Sequence, residues 1–136
     1  MDDAFEDVIA EGRHQSPWLT EIKFKNRPPE LFRAVRTLSI LVDFTYGEGG
    51  EDFSLILETS IDGGRSAVQI AHFKFERESG RKIAAVDSCG GLPVRVVDDL
   101  EPNTSLSGFL GDRIRFVRIA KGDYQNSSIA VHFVPR

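Results

Sequence analysis

The residues of this chain that could perform chemistry are scattered. Its three histidines, His14, His72 and His132, lie far apart in 136 residues. None has a cysteine or carboxylate at the spacing that a pair of zinc ligands needs. Cys89 is the single cysteine, which excludes an internal disulfide, and no histidine signature marks it as a nucleophile. We expect histidines that are hydrogen-bonded beside the core, and we predict no metal ion and no cofactor.

The carboxylates and serines show no clearer catalytic pattern. Asp98 and Asp99 are adjacent, so in a strand they would face opposite sides, whereas glycoside hydrolysis needs two carboxylates across a cleft. The sequence lacks a Gly-x-Ser-x-Gly elbow, and its glycine-rich turn at residues 47–50 lacks the lysine of a phosphate loop. Aspartates in turns, such as Asp62 and Asp123, are read as solvated, with calcium binding by loop oxygens as the alternative. We therefore expect that the protein is not an enzyme.

The net charge and the distribution of apolar residues limit which classes of partner the protein is expected to bind. The formal net charge is −4, which argues against general affinity for nucleic acid. No apolar run approaches the roughly 20 residues that a membrane helix needs, and the acidic Met-Asp-Asp start lacks the basic residues of a secretory signal. The chain is long enough for one domain with a real core. We expect synthesis and folding in a cytoplasm, with no nucleic-acid or membrane partner.

Alternation of apolar and polar residues dominates the chain from about residue 35. The apolar positions of the first such run are Leu38, Ile40, Val42, Phe44 and Tyr46. This period of two predicts a half-buried strand. Similar runs predict strands at 53–60, 68–75, 83–86, 94–97, 112–119 and 129–133, and a first strand at 19–24. A slip in the apolar phase near residues 71–72 predicts a β-bulge.

About eight short strands with turn residues between them indicate an all-β fold. The pattern is typical of an antiparallel β-sandwich or jelly roll, with a barrel as a further alternative, over residues 31–136. A parallel α/β fold would need helices of roughly 10–15 residues between its strands, and no such helical pattern follows residue 30.

The first thirty residues differ from the rest and are interpreted as an extended N-terminal arm. Phe5, Val8 and Ile9 stand at i, i+3 and i+4, a spacing that allows one short amphipathic helix. Trp18 is the only tryptophan. The segment is either a loosely packed terminus or an arm that docks on a neighbouring subunit, with Phe5 and Trp18 as candidate interface residues.

Arginines form the clearest charge feature of the sequence. Arg113 and Arg115 share one face of a predicted strand, and Ile114 and Phe116 on the other face should be core. Arg118 lies three residues after Arg115. An exposed arginine pair could bind acidic residues of a partner or of the acidic N-terminal arm. The alternative is a solvated face whose charge prevents aggregation.

The hairpin at the centre of the chain carries a recognisable pattern. One strand ends in Thr-Ser at 59–60, turns through Asp-Gly-Gly at 62–64 and returns as a strand that ends in Phe-x-Phe at 73–75. Later, residues 111–116 read Gly-Asp-Arg-Ile-Arg-Phe before a closing strand. Over roughly residues 35–136 the chain resembles small β-sandwich structural proteins of tailed bacteriophages.

The same hairpin is similar to the Asp box of sialidase-like propellers. Ser60, Asp62, Gly64 and Ser66 match that box, but Ala67 stands where it normally has tryptophan. The box also repeats in propellers and occurs once here. In both families the motif is a folding hairpin without a catalytic group.

The phage resemblance implies a virion structural protein, assembled in many copies as a capsid decoration or head/tail accessory protein. It implies a homo-oligomer, with a trimer as one arrangement, and capsid or tail proteins as partners. Capsid, neck and tail stay open as locations. The alternative is a sandwich that binds carbohydrate or another ligand through exposed aromatic residues, for which Trp18, Tyr46 and Tyr124 are the candidates.

Overall fold

The computed structural model describes residues 3–88, 96, 98–106 and 108–136 of the chain. Its strands, in chain order, are β1 (Asp3–Val8), β2 (Gly12–Gln15), β3 (Glu21–Ile22), β4 (Glu30–Leu31), β5 (Thr37–Thr45), β6 (Glu48–Gly49), β7 (Asp52–Ser60), β8 (Val68–Phe75), β9 (Gly80–Asp87), β10 (Thr104–Ser105), β11 (Arg113–Lys121), β12 (Tyr124–Gln125) and β13 (Ser128–Pro135). One 3-10 turn, Phe32–Ala34, precedes β5. Within the described ranges there is no α-helix, and the predicted all-β class is confirmed.

Two antiparallel sheets pack face to face as a β-sandwich. Sheet A has the strand order β1-β13-β5-β9, and sheet B has the order β10-β8-β7-β11-β2. The pairs β3–β4 and β6–β12 form separate two-stranded ladders. Sheet A therefore ends at β1 on one side and at β9 on the other.

The alternation that predicted β5 and β11 is the alternation that fills the core. In β5 the even-numbered residues, from Leu38 to Phe44, are almost wholly buried. In β11, Ile114 and Phe116 are both 0% exposed. Aromatic rings from the two sheets meet at one end of the core, where Phe44 stacks on Phe75 with ring centroids 4.9 Å apart. The period of two thus gave the correct inward face for both strands.

The central hairpin joins β7 to β8 through residues 61–67 and contains the predicted bulge. The register shifts between Leu57 and Glu58 of β7, whose partners are Ala71 and Gln69. One residue of β8, Ile70, is therefore extra. The bulge is confirmed one residue earlier than the slip in apolar phase indicated.

The predicted short helix near the N-terminus is wrong, because residues 3–8 form β1. This strand pairs with the outer side of β13, with Phe5 opposite Val131. Phe5 and Ile9 can point toward the core with a period of two, while Val8 stays 70% exposed. Phe5 and Ile9 lie on one face of a strand, just as Phe5, Val8 and Ile9 would lie on one face of a helix. Pairing with the open edge of β13 selects the strand.

The N-terminal segment contributes a strand to each sheet of its own chain. After β1, Gly12 has a φ of +98°, a conformation that glycine adopts without strain. β2 then pairs with β11 in sheet B, and Leu19 continues beside β11 by bridging to Ile114. The predicted first strand at 19–24 is reduced to the short β3.

Part of the connection between β9 and β11 lies outside the described residues. This holds for Cys89 and for the predicted strand at 94–97 apart from Val96, which is exposed and is not in a strand. Leu100 is buried, and the short β10 that follows it pairs with β8 at His72 and Ala71. The connection at 98–106 therefore runs against sheet B.

Candidate functional site

The three arginines of β11 divide between the two faces of sheet B. Arg113 and Arg115 lie on the outer face, as predicted, and Arg118 is an odd number of residues away and lies on the inner face. Arg113 Nε donates to Asp112 Oδ1 at 3.0 Å. That hydrogen bond lowers the pKa of the Asp112 carboxyl. Each of the three arginines has an acidic partner within its own chain.

Arg115 belongs to a covered ion pair, so the prediction that it stands on an exposed face is wrong. Its Nε donates to Glu58 Oε1 at 2.7 Å, and the two side chains are only 18% and 9% exposed. The guanidinium lies over the ring of Trp18, 4.4 Å from its centroid. A cation at this distance from an indole face is attracted by the ring. The pair is thus covered by the N-terminal segment.

Trp18 also covers the central hairpin. A Cβ on Gly64 would lie 2.7 Å from Trp18 Nε1, and Gly64 has a φ of +94°. Only glycine meets both conditions without strain. The Asp-box-like sequence has Ala67 where a tryptophan is usual, and here Trp18 packs on the turn from a distant part of the chain.

Asp62 organises the same turn through its carboxylate. Ser66 N and Ser60 Oγ donate to Asp62 Oδ1, each at 2.8 Å, and Gly64 N donates to Ser60 Oγ at 3.0 Å. The hydrogen bonds from Ser66, and then the one from Ser60, lower the pKa of Asp62 to about 2. Asp62 Oδ1 and Ser60 Oγ are therefore engaged in hydrogen bonds within the turn.

Arg118 connects the two sheets at the edge formed by β1. Its guanidinium donates to Asp7 of β1 and lies 5.1 Å from the ring centroid of Phe5. Phe5 in turn stacks on Phe116 at 4.6 Å. Burial lowers the pKa of Arg118, and its buried Nε has no hydrogen-bond partner among the described residues. The sequence predicted such a contact with the acidic N-terminal segment for Arg113 and Arg115, which pair instead with Asp112 and Glu58. The arginine that binds this segment is Arg118.

Tyr124 is buried, so the prediction of an exposed aromatic at this position is wrong. It is 5% exposed, and its hydroxyl donates to Glu76 O at 2.8 Å. Burial raises the pKa of Tyr124 to about 12. Its ring packs edge-on against Phe44 and Tyr46. The glycine-rich turn at residues 47–50 packs closely on this ring. A Cβ on Gly50 would lie only 2.4 Å from the ring atoms of Tyr124.

His72 ties the 98–106 connection to sheet B. One ring nitrogen, Nδ1, lies 2.9 Å from Leu100 O, and Nε2 lies 2.9 Å from Ser54 Oγ. Both nitrogens are engaged by the fold, and the partner of Nδ1 is a backbone carbonyl. Within the described ranges, no group of three or more histidine, cysteine, aspartate or glutamate side chains could hold a metal ion.

Two open clefts flank Lys82 at the side of the sandwich where β9 faces β8 and β10. Their volumes are about 460 and 610 Å³, and both are lined by Lys82 and Asn103. Lys82 Nζ donates to Lys74 O and to Asn103 Oδ1, the latter at 2.7 Å. Burial lowers the pKa of Lys82. The sequence predicted that Lys82 ends a charged turn before a strand at 83–86, whereas it lies within β9.

Among the described strands, the outer strands of sheet A, β1 and β9, are open edges, as are the outer strands β2 and β10 of sheet B. No described strand pairs with the outer side of β1 or β9. Val8 of β1 is 70% exposed and Ile83 of β9 is 72% exposed. β1 carries the acidic residues Glu6 and Asp7, whereas β9 begins with the basic pair at 81–82. The two edges therefore have opposite charge.

Comparison of the chain with family models, curated proteins and solved structures found no match in any of the three. Among the described residues, no helix has the length and apolar character needed to cross a membrane.

Proposed function

We propose that this chain is a non-enzymatic structural protein of a tailed-phage virion. It assembles in multiple copies as a capsid decoration protein or a head/tail accessory protein. The observation that carries the proposal is the pair of uncovered, oppositely charged edges of sheet A. An edge strand presents unpaired backbone N–H and C=O groups, which are a template for pairing with another chain.

The placement of the reactive side chains supports the same role. Arg115, Arg118, Tyr124 and His72 all have partners inside the fold. Side chains used in this way stabilise the sandwich and its covering segments. A scaffold fixed by such contacts suits a protein whose function is to occupy a defined position among other subunits.

The exposed residues at the edges support multiple copies. Val8 and Ile83 are each exposed by about 70%, and burying an apolar side chain of this size stabilises an interface by about 1.5–3 kcal/mol. Many weak contacts of this kind add up on a particle surface, because neighbouring copies are held at high effective concentration.

The test is to measure the copy number of the chain in purified particles. Particles released from a host that carries the gene are purified by density gradient and analysed by quantitative mass spectrometry. The proposal expects many copies per particle, at a fixed ratio to the major capsid or tail protein, and gold-labelled antibody then distinguishes capsid, neck and tail. Absence of the chain from purified particles would refute the proposal.

A further inference from the structure

We infer that copies of this chain join head to tail through sheet A, with β1 of one copy pairing antiparallel with β9 of the next. This inference deepens the proposed function and rests on its claim that the copies assemble. The partner of each edge is a second copy of the same chain. Because the two edges are different surfaces, the contact is heterologous and generates a ring or an open array.

The strand directions permit this continuation. Each neighbouring pair in the order β1-β13-β5-β9 is antiparallel. Four alternating strands leave β1 and β9 running in opposite directions. When two copies are placed side by side with sheet A continuous, β9 of one copy and β1 of the next are antiparallel neighbours.

The ladder pattern identifies which backbone groups are free at each edge. Ile9 N donates to Ser127 O in line with the β1–β13 register, so the backbone groups of Phe5 and Asp7 face β13. Ser88 N donates to Arg36 O in line with the β5–β9 register, so even-numbered residues of β9 face β5. Hydrogen bonding alternates along antiparallel strands. The outward groups are therefore those of Glu6 and Val8 in β1 and of Arg81, Ile83 and Ala85 in β9. The Val8 N–H donates to Asp7 Oδ1 at 2.8 Å, an exposed local contact that pairing with a second strand would replace.

These free groups fix the possible registers. In a hydrogen-bonded pair, an even-numbered residue of β1 lies opposite an odd-numbered residue of β9. The two residue numbers of each opposite pair therefore have an odd sum. The register of β1 with β13 shifts between Asp3 and Phe5, so only residues 5–8 form a regular strand edge. Registers in which the paired residue numbers sum to 89 or to 91 both place these four residues within β9. The sum of 89 sets Val8 opposite Arg81, Asp7 opposite Lys82 and Glu6 opposite Ile83. Of these two registers, only the sum of 89 sets a carboxylate directly opposite a basic side chain, which favours it.

Charge and apolar surface agree with the same register. Asp7 faces Lys82 directly, and Glu6 is a diagonal neighbour of Arg81, so both charged contacts are attractive. Val8 and Ile83 are diagonal neighbours as well, and pairing covers the exposed apolar side chain of each edge.

Asp7 and Lys82 have the capacity for this second contact. Asp7 is 40% exposed while it accepts from Arg118 and from the Val8 N–H, and a carboxylate can accept several hydrogen bonds. Lys82 has three donors, of which Lys74 O and Asn103 Oδ1 occupy two. The intermolecular ion pair therefore forms without breaking either intramolecular contact.

The test uses one variant on each edge. Ile83→Pro removes an outward N–H of β9, and since Ile83 does not bond to β5, the fold keeps its ladder. Val8→Lys places a lysine opposite Arg81 of the next copy, at a position that is 70% exposed in the single chain. Circular dichroism and thermal unfolding verify that both variants are folded, and Val8→Glu is the matched control because it is attractive to Arg81.

Sedimentation velocity over a concentration series then measures assembly. The full chain is expected to form concentration-dependent oligomers, each edge variant alone to be at least tenfold weaker in self-association, and Val8→Glu to assemble as well as the unmodified chain or better. Mixed in equal amounts, Val8→Lys and Ile83→Pro still share one intact β9 edge and one intact β1 edge. The mixture is expected to form heterodimers that do not grow further.

Several results would overturn the inference. A full chain that is monomeric at every concentration contradicts it, and so do edge variants that assemble like the unmodified chain. A Val8→Lys variant that forms a stable dimer on its own would indicate symmetric β9–β9 pairing instead. In each case the virion proposal stands or falls separately, on the copy number of the chain in purified particles.

Discussion

At the scale of single residues, the charged side chains of β11 act inside the molecule. Arg115 and Glu58 form an ion pair that Trp18 covers, and Arg118 reaches Asp7 across the gap between the sheets. In a covered pair, removal of one partner leaves a desolvated charge, which costs more than removal of both. The arginines that looked like a binding surface are therefore contributions to stability.

We expect Glu58→Leu to lower the free energy of unfolding by about 3 kcal/mol, because Arg115 is left covered and without its carboxylate. The double variant Glu58→Leu/Arg115→Leu should be more stable than this single variant, since it buries no unpaired charge. Urea denaturation of the three proteins measures both differences. A double variant that is less stable than Glu58→Leu would contradict this assignment.

Tyr124 gives a pH dependence whose sign follows from its environment. Its pKa is about 12 in the folded chain, compared with about 10 for an unfolded tyrosine. Between these values the unfolded state has lost the phenolic proton and the folded state keeps it. The free energy of unfolding should therefore fall as pH rises from about 10 to about 12. Tyr124→Phe should reduce this slope, whereas an unchanged slope would show that Tyr124 does not cause it.

At the scale of elements, the β7–β8 hairpin depends on two glycines for different reasons. Gly63 has a φ of +76° and free space around it, whereas Gly64 has a φ of +94° and lies under Trp18. Gly63→Ala should cost about 1 kcal/mol through backbone strain alone. Gly64→Ala should cost more, because its Cβ also displaces the indole.

The matched pair of variants separates the two effects. Thermal unfolding of Gly63→Ala and Gly64→Ala measures the difference, and Trp18 fluorescence reports displacement of the ring. In a Trp18→Ala background the two glycine substitutions should become similar in cost. If they already cost the same in the unmodified chain, Trp18 does not pack on the turn as described.

The sequence was sufficient to predict those strands that show their own alternation of apolar and polar residues. Alternation predicted β5, β7, β11 and β13 with the correct inward faces, because each strand has one buried and one outer side. β1 could not be recognised, since Phe5, Val8 and Ile9 satisfy a helical spacing too. The choice depends on the open edge of β13, more than a hundred residues away.

The candidate sites were less predictable than the fold for a similar reason. Arg115 and Tyr124 were assigned as exposed because neither Trp18 nor the glycine-rich turn at residues 47–50 can be placed over them from sequence. Asp7 and Arg118 are separated by 111 positions, and the sequence predicted a contact with the acidic segment for Arg113 and Arg115 instead. Contacts between distant segments require the topology, which a single sequence does not specify.

At the scale of the whole molecule, β1 has two roles. It completes sheet A by covering β13, and it presents the acidic edge proposed to bind the next copy. Deletion of residues 1–8 would expose Phe116, which stacks on Phe5, and would leave Arg118 without Asp7. We expect the free energy of unfolding to fall by about 3 kcal/mol or more.

Val8→Lys is the control for this deletion, because an exposed substitution usually changes stability by less than about 0.5 kcal/mol. Urea denaturation of both proteins measures the contrast. A deletion variant that unfolds like the full chain would mean that β1 is not part of the folded sandwich.

The central claim, pairing of the β1 and β9 edges between copies, is tested most directly by residue-resolved amide hydrogen exchange at low and high protein concentration. The amides of Ile83 and Ala85 point outward from β9, whereas those of Lys82 and Ala84 bond to β5. The account predicts that the amides of Ile83 and Ala85 exchange rapidly in dilute protein and become protected as copies associate, while those of Lys82 and Ala84 stay protected throughout. Association without new protection at Ile83 and Ala85 would contradict it.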